Sequence, residues 1–450
     1  MRSVLVVSND HVGRSMAGPG IRSFELARRL AERFSVTLSI PFESDLAEQP
    51  FPVVVTPPSD EGALTALALR SDAVFAQRLP LATMLRLART GITRVYDLYA
   101  PIPIELLASL AVEAGSGPDR ELLVGEQLMT DTILRTGSSF VCASDVQRDY
   151  WLGRLDAVGR LDPRAYREDP SLASLVGVLP FGLPSTPPAP GPAIRGVVPG
   201  VGPDDRVIVW NGGIWNWFDP VTVIRAVGEL AERRPDVRLV FVGLAHPNPT
   251  IVQRARADEA IGCARELGLL DRVVFFNEGW VPYDERGAYL LDADLGVSAH
   301  RTTYESRLAF RTRILDCIWA GLPVVVTEGD ALADVVAREG LGITVPEADP
   351  EAWVSAIETL LDDDARRGAA RASMAALRPS LEWDRLVETL VPLLERPGEP
   401  VALPRQRRRE LHRLWLRARA SYRHRGAAGF GRRVAWHARR AVRRRPPQAR

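Results

Sequence analysis

Two arginines and two acids crowd one short stretch: Glu305, then Arg311, Arg313 and Asp316. The run Leu308–Asp330 around them reads as an amphipathic helix, a two-residue Gly321-Leu322 break and a buried strand from Pro323 to Thr327. A glycine turn at Gly329 then leads into another helix. That is half of a βαβ nucleotide-binding unit with charge packed at one end. Helix N-termini attract phosphate through free N–H groups and the helix dipole, and guanidinium forks grip phosphate oxygens in pairs. Asp316, one turn further on, can hold sugar hydroxyls. The stretch is therefore read as the seat of a nucleoside diphosphate. The competing reading is a solvated, salt-bridged helix start. Ile314, Leu315, Ile318 and Trp319 on the opposite face weigh against it, because they tie the helix to a core.

Other chemistry-bearing residues fall just past apolar runs. Asn9, Asp10 and His11 follow the first one, and Gly18-Pro19-Gly20 opens the next helix. Glycines there let the backbone approach a phosphate or an acceptor sugar closely; a tight turn that only reverses the chain is the alternative. Gly212-Gly213 repeats the theme, with Trp215 and Trp217 at once after it. Paired loop tryptophans can stack on a sugar or base, or pack against a linker. Trp280, in Glu278-Gly279-Trp280-Val281, can stack a nucleobase or cover the core, and His300-Arg301 ends a further strand.

The elements that must position these residues alternate. Short buried runs at Val4–Ser8, Val36–Ile40, Val53–Val55, Ala73–Ala76, Val95–Leu98, Phe140–Ala143 and Val176–Pro180 are separated mostly by helical patterns. This is a doubly wound α/β pattern. Residues 184–203 are rich in proline and glycine and read as a linker. The alternation then restarts at Val207–Trp210, Arg238–Val242, Val273–Phe276, Leu295–Ser298 and Pro323–Thr327. The expectation is two Rossmann-like parallel-sheet domains facing across a cleft, residues 1–183 and 204–380. Helices are read at 351–361 and 382–396, the second belonging to a segment, 381–397, that crosses back to the first domain. An arginine-rich tail, amphipathic or disordered, fills 398–450. Ligands in such sheets sit outside the carboxyl ends of the strands.

At 450 residues the chain is too long for one core. All 57 of its basic residues are arginine, which excludes a lysine nucleophile or phosphate-binding lysine. Its net charge of +1 hides a split: residues 1–400 carry −15 and residues 401–450 carry +16. Cys142, Cys263 and Cys317 are far apart, with neither a disulfide framework nor zinc spacing, which fits a reducing cytoplasm. No signal peptide is read at the start, and no run reaches the ~18 apolar residues of a membrane span. Two basic amphipathic pieces lie within 405–445, around Leu411, Trp415, Tyr422 and Phe430. They point to an anionic membrane surface, with a disordered tail second and nucleic acid third.

The chain resembles the glycosyltransferase family 4 type, which has the two-domain GT-B fold, over roughly residues 1–395. The strongest part, Leu315-Asp-Cys-Ile-Trp-Ala-Gly-Leu-Pro-Val-Val, is similar to the family's L-E-A-M-A-x-G-x-P-V-V, and Gly329-Asp-Ala-Leu-Ala-Asp334 to its G-G-x-x-E. Weaker matches are Ser144-Asp-Val-Gln-Arg, Leu179-Pro-Phe-Gly182, Phe241-Val-Gly243 and Ala293-Asp-Leu. The resemblance implies that Asp316 holds the donor ribose and that the Phe310–Thr312 backbone meets the donor diphosphate. It also matches Gly18 and Gly20 to the family's amino-terminal glycine loop, placing the acceptor beside that loop and His11. Gly212, Gly213, Trp280 and Gly329 complete the expected donor site.

The chain also departs from the family. Leu308 stands where a glutamate is expected, with Glu305 the nearest acid, and Gly213–Asp219 lacks the family's Arg and Lys. Arg311 and Arg313 are assigned the missing positive charge. Tyr96 or Asp97 stands where the family often has a histidine, so Asp97 and Glu305 are the candidates for the sugar hydroxyls. The implied activity is retaining, metal-independent sugar transfer from a nucleotide-sugar co-substrate, with no cofactor. The acceptor would be a glycan or lipid-linked molecule of cell-envelope polysaccharide synthesis, handled in the cytoplasm on the inner face of the plasma membrane. The rivals are a catalytically degenerate scaffold at the membrane and a sugar-nucleotide epimerase.

Overall fold

The computed structural model describes residues 1–112, 119–248 and 255–401. The first domain holds β1 (Ser3–Val7), β2 (Ser35–Ile40), β3 (Val53–Val55), β4 (Ala73–Ala76), β5 (Thr93–Asp97), β6 (Ser139–Cys142) and β7 (Val176–Val178). They form one sheet in the order β3-β2-β1-β4-β5-β6-β7, every neighbouring pair parallel. Val4 of β1 lies opposite both Val36 and Ala73. Helices cover both faces, which is why these strands read as unbroken apolar runs rather than alternating ones.

The second domain holds β8 (Arg206–Trp210), β9 (Val237–Phe241), β10 (Val274–Phe276), β11 (Leu295–Ser298), β12 (Val324–Thr327) and β13 (Gly342–Val345). Their order is β10-β9-β8-β11-β12-β13, again all parallel. Strand order reverses beside β1 in one sheet and beside β8 in the other, and those switch points place the loops after β1 and β8 at ligand crevices. One of the apolar clusters spans both domains, including Val4, Leu26, Leu183, the connector residue Ile194, Val207 and Ile318, and two more lie within one domain each.

β13 was not expected. It is four residues long and begins with glycine, so its pattern is that of a loop. Its glycine is a packing necessity: a Cβ on Gly342 would lie 1.9 Å from the Val324 carbonyl oxygen.

The helix read over 382–396 is broken into Trp383–Leu386, a 3-10 turn at Val387–Thr389 and Val391–Glu395. Pro392 cannot donate a backbone hydrogen bond, so it sits in the first turn of the last piece. These pieces pack on the first domain. Trp383 meets Phe181 edge-on at 4.9 Å, and Arg29 and Arg33 reach Asp384 and Glu388 at 2.6 and 2.5 Å. Among the described residues no helix is long and apolar enough to cross a membrane. The expected tail pieces within 405–445 lie outside the described residues.

Candidate functional site

A cavity of about 520 Å³ opens between the two domains, within the ~300–1,000 Å³ common for small-molecule sites. Loops after β1, β5, β8, β9 and β10 line it, together with the first turn of the helix Thr312–Ala320. Hydrogen bonds span it at several heights. Trp280 Nε1 donates to the Met16 carbonyl at 3.0 Å, Asn248 Nδ2 to Asp10 Oδ1 at 2.6 Å, and Tyr283 Oη to Glu25 Oε1 at 2.9 Å. The glycine loop and the donor-side tryptophan are thus clamped together.

The structure separates the two arginines. Arg311 is drawn into a sealed ion cluster: Nη1 and Nη2 pair with the two oxygens of Glu305 at 3.2 and 2.8 Å, and Nε lies 3.8 Å from Asp330 Oδ2. All three are buried. His300 is buried in the same cluster; burial and the two arginines hold its pKa down at about 3, so it is neutral. Arg311 and Glu305 line a neighbouring pocket of about 130 Å³ rather than the main cavity. In this structure Arg311 and Glu305, expected at phosphate and sugar, instead satisfy each other.

Arg313 has no carboxylate. Its Nη2 donates to the Gly213 carbonyl at 2.6 Å, while Nη1 is buried without a hydrogen-bond partner. The guanidinium stacks on Phe218 and Trp210, 3.9 and 4.8 Å from their ring centroids. Burial and Arg311 push its pKa down to about 9, which leaves it a cation at neutral pH. It lines the main cavity. Beside it the helix Thr312–Ala320 begins with no side-chain cap, so its first N–H groups have no intrahelical partner. A buried, unneutralised cation next to bare amides has the chemistry of an anion site.

Asp316 lines the same cavity, and its Oδ1 accepts from Arg286 Nε at 3.2 Å. Thr312, Gly212, Gly213 and Trp280 line it too. Gly212 has φ +85°, which favours glycine, and a Cβ on Gly213 would lie 3.4 Å from the Trp280 ring. Trp215 and Trp217 stack on each other at 5.7 Å along the wall. Phe310 faces the smaller pocket. Gly329, at φ +99°, makes the turn after β12 and is not among the cavity's lining residues.

On the first domain, Gly18 lines the cavity but Gly20 does not. A Cβ on Gly20 would sit 2.1 Å from the His11 carbonyl oxygen, so Gly20 lets the helix start pack on the preceding loop. His11 is half-buried away from the lining. Asp97 is not at the cavity either. Both its oxygens are held by Arg22, at 2.6 and 3.0 Å, and that arginine also donates to the Leu179 and Pro180 carbonyls.

Two further acids line the cavity: Asp10, singled out above at its strand tip, and Glu105, which was not. Asp10 is 4% exposed and its Oδ2 has no partner. Glu105, on the helix Ile102–Val112, lines both pockets, and burial raises its pKa to about 7. Asp10 was legible as a polar residue at a strand tip; nothing in the sequence marked Glu105. Among the described residues no group of three or more His, Cys, Asp or Glu converges as a metal site.

Comparison with known proteins follows this geometry. The family model of glycosyl transferases group 1 matches residues 205–363. Residues 205–363 are thus similar to a group 1 glycosyltransferase domain. The domain comprises β8–β13 and the Arg313 helix. A D-inositol 3-phosphate glycosyltransferase of Kineococcus radiotolerans is 30% identical over 251 residues, covering 53% of this chain and 55% of that protein. One from Corynebacterium urealyticum is 29% identical over 42% of each. The chain spans about half the length of the curated relatives it matches. Sucrose-phosphate synthase from Thermosynechococcus elongatus superposes with a TM-score of 0.60 at 16% identity, covering 87% of this chain and 98% of that one. Anabaena HepE in complex with UDP and glucose superposes with 0.62 at 15%, covering 88% and 99%. At these identities the likeness is one of fold, and the fold is that of GT-B glycosyltransferases.

Proposed function

We propose that this protein is a retaining, metal-independent glycosyltransferase that uses a nucleoside-diphosphate sugar as donor. The observation that carries the reading is Arg313: a buried guanidinium with a free Nη1, no carboxylate, and uncapped helix amides beside it, all at the cavity. In such a transfer the bond from the anomeric carbon to the diphosphate oxygen breaks, and a bond to the acceptor oxygen forms. The acceptor's proton leaves with the diphosphate. Charge builds on that leaving group, and preorganised donors aimed at it lower the barrier. Arg313 and the amides of Thr312 and Arg313 are those donors, Asp316 binds the ribose, and Trp280 with Trp215 flanks the base or sugar.

HepE has been crystallised with UDP and with UDP-glucose, so a uridine donor is the first to test. The names of the curated relatives make D-inositol 3-phosphate an acceptor to include. A lipid-linked or cell-envelope glycan acceptor, reached at the inner membrane face through residues 405–445, completes the reading. It rests on the basic, aromatic-bearing composition of that tail.

The test is a thermal-shift screen against UDP-, GDP-, ADP- and dTDP-sugars, followed by detection of released diphosphate and of product. A melting temperature raised by one nucleotide family, with transfer to an acceptor, supports the proposal. No shift with any of the four removes it. A second reading, a binding protein that has kept the cleft but lost turnover, is favoured by the engagement of both Glu305 oxygens with Arg311. Donor binding without any release of diphosphate would decide for it.

A further inference from the structure

The two walls of the cleft carry opposite charge. Both cations that line it, Arg313 and Arg286, come from the second domain, and Arg286 is engaged by Asp316. The first-domain lining contains no arginine, and the chain has no lysine. The arginines nearest in sequence are committed elsewhere: Arg22 to Asp97, Arg14 to Glu285 and Arg78 to Glu126. In place of cations the first domain presents Asp10 and Glu105, set among Met16, Ile21, Ile102 and Leu106.

Asp10 is the telling residue. Asn248 and the His11 amide satisfy its Oδ1, at 2.6 and 2.8 Å, yet Oδ2 is buried with no partner. Leaving a buried acceptor unmade is costly; a ligand donor would satisfy it. Across from it His246, held neutral by burial, lies 5.3 Å from Trp215 and 5.5 Å from Trp280. It adds no cation.

We infer that the part of the acceptor lying against this first-domain wall is uncharged or amine-bearing and carries no phosphate, with Asp10 Oδ2 accepting a hydrogen bond from its hydroxyl or ammonium group. A phosphate placed there would meet acidic and apolar side chains, with no cation in this wall among the described residues, so like-charge repulsion and desolvation both oppose it. An ammonium or hydroxyl donor meets an acceptor, Asp10 Oδ2, that has no partner. The apolar residues alongside take the carbon face of a sugar ring or an aliphatic portion of the acceptor. The inference rests on the donor reading above only in assigning this wall to the acceptor.

The test uses the full-length protein saturated with UDP and three matched probes: glucosamine, glucose and glucose 6-phosphate, compared by saturation-transfer NMR and titration. The expected order of affinity is glucosamine, then glucose, then glucose 6-phosphate, with at least tenfold between the first and last. Asp10→Asn, which keeps the side chain's shape and its Oδ1, should collapse the gap between glucosamine and glucose. Glucose 6-phosphate binding as tightly as glucose overturns the inference, as does silence from all three probes, or an order that survives Asp10→Asn unchanged. If UDP itself does not bind, the donor reading fails separately. The same three sugars on the nucleotide-free protein then still decide the acceptor claim.

Discussion

Arg311 and Arg313 are two residues apart at the start of one helix, yet they live in different electrostatic worlds. Arg311 is closed in with Glu305 and Asp330, one guanidinium engaged by two carboxyl groups. Arg313 is stacked on two aromatic rings with one buried nitrogen unpaired, and the residue lines the cleft. The first holds the loop after β11 to the helix start and to the cap of the next helix, since Asp330 also accepts from Leu332 and Ala333 amides at 2.8 Å. The second spends folding energy on a charge that forms no salt bridge among the described residues. Unpaired buried charge is costly, and sites where a protein tolerates it are where an anionic ligand completes the structure.

Substitution should separate the pair most sharply at Arg313. Arg313→Met removes the unpaired cation, and turnover should fall by roughly 10²–10³, the size of loss seen when one preorganised charge donor is removed. The melting temperature should hold or rise, because a buried charge has been replaced by apolar volume. Arg311→Ala should do the opposite. It leaves Glu305 and Asp330 as neighbouring buried acids, and stripping one partner from a buried pair costs about 3–5 kcal/mol, read as a lower urea midpoint. If Arg311→Ala is as stable as the parent, the compartment is not a structural ion cluster.

Two smaller effects refine the comparison. Asp316→Ala should weaken donor binding by about tenfold, the loss of one or two hydrogen bonds to a neutral hydroxyl. It should appear in KM more than in kcat, since ribose contacts are made equally in ground and transition states. The smallest effect concerns Glu105. Its folded pKa is raised to about 7 from 4.5, so between those values the folded state holds a proton the unfolded state has lost. Stability therefore falls as pH rises through that window and is flat below it. Glu105→Gln should abolish that slope in melting temperatures measured from pH 4 to 8, and an unchanged slope assigns it to another group.

Much of the scaffold was legible because parallel strands buried on both faces announce themselves as short apolar runs; Leu295–Ser298 and Val53–Val55 were read to the residue. β13 was not, since a glycine forced by a neighbouring carbonyl carries no apolar signal. The helix at Thr312–Ala320 and the tryptophans at 215, 217 and 280 were legible as site material from their place after strands. The distinction between Arg311 and Arg313 was not. It depends on Asp330, nineteen residues on from Arg311, and on the Gly213 carbonyl, a hundred residues back from Arg313, and no local pattern encodes which arginine meets which. Asp97's engagement is equally invisible to local pattern: its partner, Arg22, lies on the first helix, 75 residues away. Glu105 sits in an ordinary helix and becomes a site residue only when the two domains close on it.

The central claim is that the nucleotide's diphosphate is held by Arg313 and not by Arg311. Calorimetric titration of UDP into the parent protein and into Arg313→Met tests it most directly. A loss of roughly 10- to 100-fold in UDP affinity, the worth of a charge-assisted contact, in a variant that melts no lower than the parent is the predicted result. Equal affinity in the two proteins would contradict it.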